Sequence, residues 1–197
     1  MIRKETSEGI GYSVVELGQV RHVFASAAPQ NGGDLEQQTH DALKTIEAVI
    51  DDEAAHGSIV KQAVFLRNIE QVEACRAIIK EFYGAELPAT SYIQQAPCND
   101  KLVAIEALGV GRGFDDVEIR RLSDRMVVTS HDGVEWVHLA NLTPRVRDVP
   151  LFEASLDVFE QMAAGLAEYG YNINQVIRTW LYLGDIVGPE ADTQRFK

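Results

Sequence analysis

The side chains able to do chemistry are few and widely spaced. Five histidines, His22, His40, His56, His131 and His138, are scattered along the chain. The two cysteines, Cys75 and Cys98, form no C-x-x-C pair and lie near no spaced histidine pair. Structural zinc sites draw on closely spaced ligand pairs, so spacing points to no metal, and no cofactor is expected. Two cysteines cannot build a disulfide framework. Reduced thiols fit a cytoplasmic protein. Cys75 falls on an apolar helical stripe and reads as core, whereas Cys98, between Pro97 and Asn99, reads as an exposed thiol. Arg76 is a cation on a helix and reads first as a solvated one. Trp180 and Tyr182 stand two apart in a strand-like run, so they share a face and read first as packing aromatics.

Charge narrows the partners. The 197 residues carry a net charge of −12, and no basic run interrupts that balance. Nucleic-acid affinity rests largely on Lys and Arg at phosphates, so RNA or DNA is not the expected partner. A small anionic ligand is not excluded, because one local arginine can outweigh the mean field. No apolar run approaches the roughly 20 residues of a bilayer span, so no membrane association is expected. The opening Met1-Ile2-Arg3-Lys4-Glu5 lacks the apolar segment of a secretory signal.

The elements that would position these residues are legible from periodicity. Gly11–Leu17 and Val20–Ala27, rich in β-formers and separated by Gly18-Gln19, read as a hairpin. Asp34 with Gln37 makes a capping box. Leu35, Thr39, Ala42, Leu43, Ile46, Val49 and Ile50 then recur at helical spacing, and Gly57 closes that helix. Ile59–Leu66 reads as a strand. Ile69, Val72, Cys75, Ile79 and Phe82 mark a second helix ending near Gly84. Thr90–Ala96 and Leu102–Val110 read as a final strand pair. The order ββαβαββ is an α+β sheet with both helices on one face.

After the glycine-rich joint Gly109-Val110-Gly111-Arg112-Gly113 the pattern restarts. Strands are expected at Asp116–Arg121, Met126–Ser130 and Val134–Leu139. A helix over Leu151–Tyr169 carries Phe152, Leu156, Phe159, Met162, Ala163 and Leu166 on one stripe, and Val176–Leu183 reads as a strand. Val60–Ile69 lies over Ile177–Ile186, and Phe24–Pro29 over Leu139–Pro144, as an internal repeat. The expected organisation is therefore a complete domain over residues 1–110 and a partial second copy over 111–197. Either a longer polypeptide or another chain would complete the second copy.

Tyr12-Ser13, Phe24-Ala25-Ser26, Lys61-x-x-Val64-Phe65-Leu66, Phe82-Tyr83 and Pro88-Ala89-Thr90-Ser91, followed by Leu102–Ala107, resemble the Rid/YjgF (RidA, endoribonuclease L-PSP-like) family in order and spacing. The resemblance implies the chorismate-mutase-like fold, a trimer or pseudo-trimer with small-molecule clefts between units, and hydrolysis of enamines and imines in active members. It also implies what is missing. Active deaminases hold the substrate carboxylate with an arginine fork after Pro-Ala, where this chain has Thr90. The water-activating acid is matched by Ala104, a second glutamate by Glu106, and the second-helix asparagine by Arg76. Tyr92 stands where the family has a cysteine.

Tyr12, Ser26, Thr90 and Tyr92 are accordingly the residues expected to line a substrate cleft, and catalytic residues are left unassigned. The tandem arrangement resembles that of the chorismatases, whose reaction site lies mainly in the second of two Rid-like units. Arg178–Leu183 is similar to the matching stretch there. Three functions follow from the resemblance. They are a metal-free tandem hydrolase or lyase, a non-catalytic metabolite-binding or assembly protein, and an imine deaminase.

Overall fold

The computed structural model describes all residues except Met1, Glu8, Ala54, residues 56–58 and 112–116, Arg147, and residues 185–188, 191–192 and 195–197. The expected closure at Gly57 lies outside the described residues. The chain divides into two compact units, Met1–Thr143 and Pro144–Lys197.

In the first unit β1 (Ile2–Ser7), β2 (Ile10–Leu17), β3 (Val20–Ala27), β4 (Ile59–Leu66), β5 (Ala89–Gln94) and β6 (Val103–Gly111) form one sheet in the order β1-β2-β3-β6-β4-β5. The ββαβαββ reading holds for β2 to β6. It missed β1, which pairs antiparallel with β2 from Ile2↔Val15 to Ser7↔Ile10. Its run of three charged residues, Arg3-Lys4-Glu5, and its polar end leave no apolar face to announce it. The last strand, β6, enters between β3 and β4, antiparallel to both. β4 and β5 are parallel and joined by a helix, the crossover that parallel neighbours require.

Helices α1 (Leu35–Asp52) and α2 (Val72–Tyr83) lie on one face of this sheet. The Asp34–Gln37 capping box forms as expected, each side chain meeting the other's backbone N–H. The apolar stripe of α1 (Leu35, Ala42, Leu43, Ile46, Ile50) and Cys75 and Ile79 of α2 bury against Val23, Ala25, Val64, Leu66, Val103 and Ile105. Ile69–Gln71 forms a single 3₁₀ turn ahead of α2, where Asn68 accepts from the Glu70 N–H. The stretch expected to be helical from Ile69 therefore starts its α-helix at Val72.

A second sheet covers part of the other face. It comprises β7 (Glu118–Arg121), β8 (Met126–His131) and β9 (Val134–Leu139), all antiparallel and in that order. Val127 of β8 and Ala140, just after β9, pack with Val20, Val60, Ala89, Leu108 and Val110 of the six-stranded sheet. This three-stranded sheet lies within the first unit.

The second unit holds α3 (Leu151–Glu168). The loop before it is tied down by Arg145, whose backbone N–H donates to Asp157 Oδ2 at 2.7 Å and whose guanidinium donates to Oδ1. That pairing holds the Asp157 carboxyl below its ordinary range. The expected stripe of α3 is mostly uncovered: Leu166 is buried, but Phe152 is 77% exposed. Val176–Leu183 is not a strand. It runs without ladder partners among the described residues, and Ile177, Trp180, Leu181 and Tyr182 are exposed. The strands expected before residue 140 and the helix at Leu151 are thus present as elements, and the strand expected at Val176–Leu183 is not.

Close approach at β6 gives a test of this packing. A Cβ on Gly111 would lie 2.4 Å from the backbone Cα of Ala55, which follows α1. Backbone cannot yield as a side-chain tip can. Gly111→Ala is expected to cost ~1–3 kcal/mol by overpacking, read as a lowered urea midpoint with unchanged slope. Gly32, where an added Cβ meets nothing within 4 Å and the backbone is not left-handed, serves as the control for steric cost.

Candidate functional site

The four residues expected to line a cleft do not converge within one chain. Tyr12 lies on β2, Ser26 on β3, and Thr90 and Tyr92 on β5, with β3, β6 and β4 between the first and the last. Ser26 alternates with Ala25 and Ala27, which point into the helical core, so Ser26 faces the opposite side from Tyr12. Within one chain, strand order and alternation therefore set these residues apart.

Each of the four has its own partner. The Tyr12 hydroxyl donates to Glu5 Oε2 at 3.0 Å. Ser26 Oγ donates to the Gly11 carbonyl at 3.1 Å. Thr90 is buried, donates to the Pro88 carbonyl at 2.8 Å and accepts from Gln62 Nε2 at 3.0 Å. Tyr83 in turn donates to Gln62 Oε1. Tyr92 packs against the helical core, and the Arg76 guanidinium sits 5.1 Å from its ring centroid. Burial pushes the Tyr92 phenol up to about 12, so it is a neutral donor at any ordinary pH.

Other expectations hold or shift. Cys75 is fully buried, and burial lifts its thiol to about 11, so it is core and no nucleophile. Cys98 is exposed. Arg76 pairs with Glu73 at 3.0 Å on the α2 surface. Glu106 lies directly across from Ser26 in the β3–β6 ladder. That pairing brings together two residues the sequence kept 80 positions apart (106 minus 26).

Two clusters escaped the sequence reading. The first is a charged cavity of about 210 Å³ lined by Arg3, Val14, Glu16, Arg21, Asp52 and Glu53. Glu53, the residue that ends α1, is 4% exposed and pairs with Arg3 and, at 3.9 Å, with Arg21. Arg21 also donates to the Glu53 carbonyl at 2.9 Å. Strand pairing places Arg3 opposite Val14 and Glu16 opposite Arg21, so one sheet face carries both guanidinium groups.

The second cluster lies between the two sheets. Nε2 of His22 (β3) and Nε2 of His131 (β8) are 3.1 Å apart, and both rings are buried. Trp136 stacks on His131 at 6.1 Å and meets His22 edge-on at 5.5 Å. Thr129 Oγ1, Trp136 Nε1 and His138 Nε2 are buried without a hydrogen-bond partner. Among the described residues no set of three or more His, Cys, Asp or Glu is arranged to hold a metal ion. Histidines 109 positions apart in sequence carry no spacing signal.

The buried carboxylate of the first cluster makes a prediction. Glu53→Gln keeps the volume but removes the charge facing two half-exposed guanidinium groups. It is expected to cost about 1–3 kcal/mol, measured by urea unfolding at pH 7. Glu16→Gln, at the exposed rim, is expected to change stability by less than about 0.5 kcal/mol.

Comparison with known proteins finds partial matches. Residues 17–110 match the family model described as Endoribonuclease L-PSP. A Lactococcus lactis protein named as regulator AldR is 32% identical over 81 residues, covering 39% of this chain and 63% of that protein. The match thus spans less than two thirds of that relative. Among solved structures, the YjgF gene product of Escherichia coli is 24% identical, covering 49% of this chain and 84% of that chain, with a TM-score of 0.44. A YjgF-family member from Mycobacterium tuberculosis is 26% identical, covering 50% and 85%, also with a TM-score of 0.44. Among the described residues no helix is long and apolar enough to cross a membrane. Residues 17–110, within the first unit, are thus similar to the Endoribonuclease L-PSP family over just under half of the chain.

Proposed function

We propose that the first unit is a small-molecule-binding Rid-type domain that does not perform imine deamination. One observation carries this reading. Thr90, at the position of the deaminase arginine, is buried and already uses its hydroxyl both as donor and as acceptor. It offers a substrate carboxylate no charge and no free hydrogen bond. An unpaired carboxylate in such a cleft would bear the full cost of desolvation. Ala104 supplies no acid on β6.

A homo-oligomer of trimeric or pseudo-trimeric form, with clefts between units, belongs to this reading. So does the division into a complete domain over 1–110 and a partial one over 111–197. Tyr12, Ser26, Thr90 and Tyr92 would then serve different clefts or the framework of one. Arg76 lies over the ring of Tyr92, two residues along β5 from Thr90. The Lactococcus relative bears a regulator's name, in keeping with binding without turnover.

A second reading, the metal-free tandem hydrolase of chorismatase type, is favoured by Arg178. Its guanidinium lies 5.1 Å from the Trp180 ring centroid, in the stretch similar to those enzymes. Pyruvate release from chorismate tests it directly.

The binding reading is tested by two measurements on one preparation. Ammonia release from freshly generated 2-aminoacrylate is expected to stay at the buffer rate. Short 2-oxo and 2-amino carboxylic acids are expected to raise the thermal midpoint. A ligand at about 100 times its Kd adds about 2.7 kcal/mol of stability, or several degrees. Deamination at roughly tenfold or more over buffer, lost in Tyr92→Phe, would replace this reading with the deaminase. No shift with any of these acids, and no trimer by light scattering, would leave it without support.

A further inference from the structure

We propose that His22, His131 and His138 form an acid-sensitive latch that holds the β7–β9 sheet on the six-stranded sheet at neutral pH and releases it on acidification. His22 projects from β3 on the face away from the helices, because its neighbour Val23 packs into the helical core. It lies opposite Val15 of β2 and Val110 of β6, so its own sheet supplies no carboxylate across the ladder. His131 closes β8, and His138 lies across from Val127, which packs in the layer contact.

The pair contact is specific to neutral rings. At 3.1 Å between two Nε2 atoms, one ring must donate and the other accept. Two imidazolium ions are both donors only, so the bond cannot survive full protonation. The surroundings offer little to offset the charge. From β4, Lys61 acts on His138 with the same sign, and His22 acts on it as well. From β9 come the Trp136 ring and the His138 Nε2, which lacks a partner. From β8 comes Thr129, a neutral hydroxyl. The carboxylate in contact is Asp132, 3.4 Å from His131 Nδ1 and 47% exposed. It can balance one charge at the rim, not three inside.

The direction of the pH effect follows. Burial, and then the neighbouring His131, lowers the His22 pKa from 6.5 to about 4. Burial, then Lys61, lowers that of His138 to about 4. A base with a depressed folded pKa binds fewer protons folded than unfolded, so stability rises with pH. The contribution is fully present above pH 6.5 and is lost as the pH falls towards 4. The layer contact it guards consists of Val20, Val60, Leu108, Val110 and Val127. Its opening would bare an apolar face.

Trp136 reports on the latch from inside it. In a Trp180→Phe background, which leaves Trp136 as the remaining tryptophan, emission is followed from pH 8 to 4. The expected result is one transition with its midpoint between pH 6.5 and 4, accompanied by uptake of an apolar dye and by retained far-UV circular dichroism. In His22→Gln/His131→Gln, which keeps hydrogen-bonding groups but cannot charge, the midpoint should fall by about one pH unit or more, or the transition should vanish. An unchanged midpoint in that variant would overturn the latch. Should the variant not fold, ring-proton NMR of the wild type decides. Two of the three rings titrating well below 6.5 supports the latch, and all three titrating near 6.5 overturns it.

Discussion

The first unit depends on a single insertion, that of β6 between β3 and β4. The two outer parts of the sheet, the β1–β2–β3 meander and the β4–β5 parallel pair, have no hydrogen bonds to each other except through this strand. Buried backbone groups must be paired, so β3 and β4 acquire their inner partners only when the last strand arrives. The burial pattern agrees. Every residue from Ala107 to Gly111 is buried, on both faces, because α1 covers one side and the β7–β9 sheet the other. Gly109 and Gly111 are small where Ile50 and Ala55 come closest.

The same constraint accounts for the unit that falls short of expectation. Val176–Leu183 has the composition of β4, and the two segments align in sequence. β4 is a strand because β6 pairs with it on one side and β5 on the other. Val176–Leu183 has no ladder among the described residues and stays irregular. β-propensity expresses fit to a paired, half-buried surface more than an intrinsic backbone preference. A strand sequence without its neighbour is therefore an incomplete instruction. The α3 stripe makes the same point, since its periodicity is clear while most of the stripe is uncovered.

Function in the first unit turns on what a charge at β5 would meet. Position 90 lies in a buried network running from Tyr83 through Gln62 to Thr90 and the Pro88 carbonyl. A satisfied neutral network stabilises the β4–β5 pair at little cost. An arginine fork would need an opening there and a counter-charge. The chain instead keeps its buried charges at the end of α1, where Glu53 meets Arg3 and Arg21, and its buried ionisable bases between the sheets. Thr90 thus belongs to the framework of the β4–β5 pair.

By itself the sequence determined the elements whose signal is local. The α1 capping box, the hairpin at Gly18-Gln19, the apolar stripes, and the strand at β9 with its bounds all follow from neighbours within a few residues. It also determined that Thr90 and Ala104 stand where the resemblance implies an arginine and an acid, since residue identity needs no coordinates. Tertiary structure decided what depends on long-range pairing. It made a strand of Ile2–Ser7, whose partner is β2, and left Val176–Leu183 without one. It sent Ser26 and Tyr12 to opposite faces and set Ser26 beside Glu106. It also joined His22 to His131 across 109 positions. The physical reason is the same throughout: helical order closes its bonds within four residues, whereas a strand, a buried histidine pair or a cleft exists only when a distant part of the chain supplies the other half.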